Sequence, residues 1–230
     1  MTGRVRTSIL AGCLSVASLI PGCASEATAP STAASPPEAA ESAASDSPEP
    51  SIEAGGTRPM ESGTLEAGVR YVSEGLGLSV QPVEDDWYAL PLEAGEFELT
   101  RERIAVWFTR PLSIRPDGTA QSSVEPPTDA VAFVAAVESH PAVTVTNTEP
   151  FEVEGFTGLL VDIESDGMSA GSAMLTTQDG DAFGFPDGEG RLLLLTDDSG
   201  LVMISVEGGE SRDAAWSIAG PILETLESAP

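Results

Sequence analysis

Between Ala24 and Met60 only Ile52, Arg58 and Met60 fall outside the set Ala, Ser, Thr, Pro, Gly, Asp and Glu. The stretch has no aromatic residue and no apolar periodicity, so ordering it could not recover its conformational entropy. Prolines at positions 30, 36, 37, 48, 50 and 59 favour extended, polyproline-like conformations. Reach then lies between ~35 Å as a flexible coil and ~110 Å when extended. The stretch reads as a tether, either a plain spacer or an O-glycosylated one. Any packed core must come from residues 61–230, which hold all three Trp and most of the branched apolar residues. A segment of that length suits one domain burying roughly 70% of its unfolded surface.

Charge narrows the function classes. Lys plus Arg number 10 against 37 Asp plus Glu, a formal net charge of −27, and every one of the cations is Arg. A chain without lysine has no Walker-type phosphate lysine, no Schiff-base lysine and no Ser–Lys dyad. So acidic a surface repels nucleic acid and anionic headgroups. One His and two Cys cannot build a His/Cys zinc site. Residues 61–230 carry 31 acids against seven Arg, a net of −24 that ion pairing cannot neutralise.

The N-terminus carries an address. Met1–Arg6 is a short basic region, and Thr7–Ile20 is a 14-residue, mostly apolar segment. As a helix it would span ~21 Å, short of the ~30 Å hydrocarbon core, and it reads as an export signal. Leu19-Ile20-Pro21-Gly22-Cys23 follows, and it resembles the lipobox of bacterial lipoproteins. Leu10-Ala11-Gly12-Cys13 is a rival by its letters, but cleavage there would leave an apolar segment too short for a signal peptidase. With Cys13 removed, Cys23 would be the lone cysteine of the mature chain. The resemblance implies a diacylglyceryl thioether on Cys23. Two or more acyl chains of the palmitate type anchor stably, where one binds reversibly. The expected organisation is a signal peptide at 1–22, a lipidated Cys23 and tether over 23–60, and an extracytoplasmic domain at 61–230.

Within 61–230, strands are expected at Leu65–Val72, Leu76–Pro82, Trp87–Leu90, Phe97–Thr100 and Arg103–Thr109, followed by a loop from Pro111 to Pro127. Thr128 can N-cap a helix over Asp129–Ser139, with Ala130, Phe133, Val134 and Val137 as its apolar stripe. Strands follow at Val143–Thr146, Phe151–Val153, Gly158–Glu164 and Ala173–Thr177. Arg191–Thr196 and Leu201–Glu207 form the clearest hairpin. Ser211 can cap a last helix, whose apolar face runs from Ala215 through Ile218, Ala219, Ile222 and Leu223 to Leu226, with Pro221 kinking it. The expected fold class is α+β, a mainly antiparallel sheet with two flanking helices.

In Val80–Trp87, Asp129–Pro141 and Val153–Asp162 this order resembles the PsbP-type α/β/α sandwich. It is also similar to a group of secreted or lipid-anchored proteins of high-GC bacteria. Asp85-Asp86-Trp87 stands where a Gly-Trp turn is usual. The likeness implies a fold and an envelope address, and it carries no catalytic residue.

Three constellations bear on chemistry. Gly167-Met168-Ser169-Ala170-Gly171 spells a nucleophile elbow, but no helix is expected after Ser169, and His140 precedes it in the chain. A His140/Asp162/Ser169 grouping would have the order of the two-barrel serine proteases, for which this domain is too short. His140 sits just past a helix C-terminus, where an imidazole can cover the last carbonyls. Asp179, Asp181, Asp187 and Glu189 in a Gly-rich loop, with Asp197 and Asp198 in the hairpin turn, are either solvated turns or Ca²⁺ ligands, and they fail the EF-hand spacing. Glu84-Asp85-Asp86 reads as a solvated turn, and Trp107 as either core or the lining of a groove. The expected function is a lipid-anchored protein on the extracytoplasmic face of the cell membrane. Its acidic, non-catalytic domain would bind a small ligand or an envelope protein, with no cofactor, no metal and no nucleic acid. A serine hydrolase using Ser169 and His140, or a Ca²⁺-dependent binding module, is the alternative.

Overall fold

The computed structural model describes residues 56–166, 174–177, 182–184, 188–197 and 199–229. The first half contains β1 (Thr57–Pro59), β2 (Gly63–Thr64), β3 (Arg70–Ser73), β4 (Leu78–Val80), β5 (Tyr88–Pro91), β6 (Phe97–Arg101), β7 (Ile104–Thr109), β8 (Ser113–Ile114) and α1 (Ala130–Glu138). The second half contains β9 (Val143–Val153), β10 (Phe156–Ser165), β11 (Leu175–Thr176), β12 (Ala182–Phe183), β13 (Gly188–Asp197), β14 (Gly200–Gly208), α2 (Arg212–Leu223) and β15 (Glu227–Ser228). Eight strands make the main sheet, in the order β2-β5-β6-β7-β14-β13-β10-β9, and every neighbouring pair in it is antiparallel. Two small sheets accompany it, β1-β3-β4-β15 and β12-β11-β8.

The expectation of an α+β fold with two flanking helices is corrected here. Strands account for 47% of the described structure and helices for 17%, so the domain is mainly β. Residues read as breaks lie inside long strands. Pro150 falls within β9, an 11-residue strand at the edge of the main sheet, where a missing N–H leaves no ladder bond unmade. Gly188–Gly190 extends β13 across from Ile163–Ser165. At the other end, α2 stops at Leu223, Leu226 packs into the core from the turn beyond it, and β15 pairs with β4. Pro221 therefore falls in the last turn of the helix. Thr57–Pro59, inside the stretch read as tether, pairs in parallel with Arg70–Val72.

The main sheet divides the core in two. Leu192, Leu193, Leu194 and Leu195 are all buried and alternate between its faces, as a strand covered on both sides demands. Leu193 and Leu195 join Phe97, Phe108 and Ile204 beneath Ala215, Ala219 and Leu223 of α2. Leu192 and Leu194 join Ile163, Met203 and the α1 residues Phe133 and Val137 on the opposite face. Each such Leu, Ile, Val, Met or Phe burial is worth ~1.5–3 kcal/mol.

Local signals set the element ends. The N-cap of α1 is Asp129 rather than Thr128, since the Asp129 carboxylate accepts the Ala132 N–H at 2.9 Å. Ser211 caps α2 as expected, accepting the Ala214 N–H at 3.2 Å. Asp86 takes the left-handed conformation, with φ 74°, which glycine adopts freely and aspartate tolerates. Gly158 is required by close approach, because a Cβ there would overlap the backbone carbonyl oxygen of Leu194 on β13.

Candidate functional site

The two faces of the sheet are finished differently. α2 lies over β7, β13 and β14, whereas α1 lies over β9, β10 and β13. Residues paired across strands share a face, so the second face can be followed beyond α1. From Leu192 the row passes to Ser205, Trp107, Glu98 and Leu90. The adjacent row is Glu207, Ala105, Thr100 and Tyr88. Along the Leu192 row the apolar side chains give way to a mixed surface in one step, between Leu192 on β13 and Ser205 on β14. Tyr88 and Leu90 are exposed, at 46% and 42%, and Trp107, Glu98 and Thr100 are half-buried.

Glu207 is the unusual member. It is 8% exposed, and its Oε1 accepts the Ser205 hydroxyl at 2.9 Å. Burial pushes its carboxyl up to about 7; the charge of Glu98 adds to the rise, and the Ser205 hydroxyl opposes it. The group thus changes charge near neutral pH inside a sheet face with an aromatic ring and a second carboxylate.

Other charged groups are committed to the fold. Arg191 Nε and Nη2 donate to Asp162 at 2.6 and 3.2 Å, and the guanidinium lies 5.1 Å from the Trp216 ring centroid on α2. The bidentate carboxylate contact raises the Arg191 pKa. Arg110 donates to Asp197 at 2.8 Å and to the Leu76 carbonyl at 2.9 Å, tying the β13–β14 turn to the loop between β3 and β4. Beside that turn is an open cleft of about 810 Å³, lined by Glu152, Thr157, Thr196, Asp197, Ser199 and Ser228 among others. Asp197 is engaged within it, because its other oxygen accepts the Ser199 N–H at 2.7 Å.

Among the described residues, those singled out from sequence do not converge. Cys23, Ser169, Asp179, Asp181, Asp187 and Asp198 lie outside the described residues. His140 is buried beyond α1, and its Nδ1 accepts the backbone N–H of Ala142 at 3.2 Å. Asp162 faces α2 and is bound by Arg191, on the face of the sheet opposite to the α1 cluster, so no relay joins it to His140. Glu189 accepts the Arg212 N–H at 3.4 Å. Asp85 accepts the Ala67 N–H at 3.0 Å, and Glu84 pairs with Arg101. Trp107 lies on the second face, away from the Phe108 core.

Glu98, Ser205 and Glu207 were not singled out by sequence reasoning. A signal existed: in Leu201–Glu207 every residue is buried, and Ser205 and Glu207 are the polar members of one alternating set. No family model and no curated protein matches the sequence. Among solved structures the chain is similar to the solution structure of cyanobacterial PsbP (CyanoP) from Synechocystis sp. PCC 6803, at 14% identity over 72% of this chain and 92% of that chain, with a TM-score of 0.37. The PsbP-like resemblance read from sequence has a counterpart there, a weak one from which no residue role is carried across.

Proposed function

We propose that this chain is a bacterial lipoprotein, held on the extracytoplasmic face of the cell membrane by acyl chains on Cys23. In this reading its mainly β domain works by binding, not by catalysis. The anchor rests on the apolar Thr7–Ile20 segment followed by Leu19-Ile20-Pro21-Gly22-Cys23. Binding rests on one observation: beyond α1 the second sheet face carries exposed Tyr88 and Leu90 beside Trp107 and the buried acid Glu207. A surface finished only for stability would not hold an ionisable group at that depth.

The anchor is tested by expressing Cys23→Ser and washing membranes at high salt. The wild type should sediment, with lipid on Cys23 by mass spectrometry, and the variant should be released. A variant that still sediments overturns the anchor. The binding face is tested by hydrogen exchange of the full chain with and without envelope extract. Protection concentrated in β5–β7 and β14 supports the assignment, and its absence there overturns it.

A further inference from the structure

We propose that the Glu98–Trp107–Ser205–Glu207 surface is a binding site for a small organic cation, an ammonium group carried on an apolar body. This rests on the reading of that face as the binding surface and names what it takes.

Three features carry the assignment. First, Glu207 is buried and short of partners. A carboxylate offers about four lone-pair positions, and among the described residues one hydroxyl, that of Ser205, fills one of them. Among the described residues no arginine contributes to the shift of the Glu207 carboxyl. Arg70, Arg101, Arg110, Arg191 and Arg212 are paired with other acids. Taking a carboxylate out of water without a counter-charge is costly, and a bound cation would relieve that cost.

Second, the register brings an aromatic ring into the same patch. Trp107 stands directly between Glu98 and Ser205 in one cross-strand row, with Glu207 two residues along β14 on the same face. An indole beside carboxylates attracts a cation over its ring as well as through charge. Third, the rim formed by Tyr88 and Leu90 is exposed and apolar, which suits an organic body better than a bare metal ion. A hard divalent cation needs six to eight oxygens, and no group of three or more metal-ligating side chains occurs among the described residues.

The test is a titration of the full chain with benzylamine, followed by intrinsic fluorescence and by equilibrium dialysis, with benzyl alcohol as the uncharged analogue. Benzylamine should bind saturably below about 10 mM and change the fluorescence, a change lost in Trp107→Phe. Glu207→Gln should weaken binding at least about tenfold, and Glu98→Gln should weaken it less; melting curves establish that both variants fold. Absence of saturable binding overturns the proposal. So does equal binding by Glu207→Gln, equal affinity for benzyl alcohol, or displacement of benzylamine by equimolar Ca²⁺. If benzylamine fails while envelope extract still protects β5–β7, the binding face survives and the cation assignment falls.

Discussion

Phe108 and Trp107 are neighbours on β7 and live in different molecules, in effect. Phe108 is fully buried, stacked on Phe97 at 4.2 Å and roofed by α2. Trp107 points to the other face, past the strands that α1 covers, and is half-buried. Sealing one face of a sheet completely is enough to stabilise it, which leaves part of the other free to carry groups that cost stability. That division requires the two rings to contribute unequally. Phe108→Ala should cost about 4 kcal/mol in urea unfolding, and Trp107→Ala about half of that or less, as expected for full against partial burial. Equal losses would mean that the second face is sealed as well.

Glu207 sharpens the contrast through pH. Burial pushes its folded carboxyl up to about 7 from an ordinary value of 4.5. Between those values the native state holds a proton that the unfolded chain has released. Stability should therefore fall as pH rises from about 4.5 through 7 and level off above it, by at most on the order of 3 kcal/mol. Repulsion among the surplus acids acts in the same direction over part of that range, so the wild type alone cannot isolate the effect. Glu207→Gln keeps the shape and removes the charge. The two proteins should melt together near pH 5, and the variant should melt several degrees higher at pH 8. Parallel melting curves across that range would show that the site is wetter than its burial implies.

The legible and illegible parts of the sequence follow the same division. Leu192–Leu195 and Val202, Ile204 and Val206 mark a hairpin buried on both faces, and β13 and β14 are where the pattern puts them. Ser211 announces α2 because a cap is a local matter. The mainly β balance was hidden because Pro150 and Gly188–Gly190 break strands in isolation but are accommodated in the assembled sheet. At an edge, proline loses nothing, and Gly190 gives room to Ile163, which lies 3.3 Å from where its Cβ would be. Glu207 was hidden because acids are abundant throughout the chain, and only the register of β14 against β7 shows that this one points inward. Cys23 and Ser169 lie in segments outside the described residues, and their roles rest on sequence alone.

The smallest effect concerns how α1 keeps its half of the second face covered. Thr128 and Asp129 both offer an oxygen to the start of the helix, and both are residue types that favour the N-cap, aspartate somewhat more. The structure assigns the bond to Asp129, whose Oδ1 accepts the Ala132 N–H, and its negative charge also suits the positive end of the helix. Asp129→Ala should therefore cost about 1 kcal/mol, whereas Thr128→Ala should stay within about 0.5 kcal/mol of wild type. Hydrogen exchange across 130–138 should quicken in the first variant and not in the second. Phe133 and Val137 pack against Ile163 and Leu192 from this short helix, so loosening its first turn would begin to uncover an apolar counterpart of the Trp107 surface. If Thr128→Ala were instead the costlier change, the helix would start one residue earlier, and the edge of the sheet area that α1 covers would shift with it.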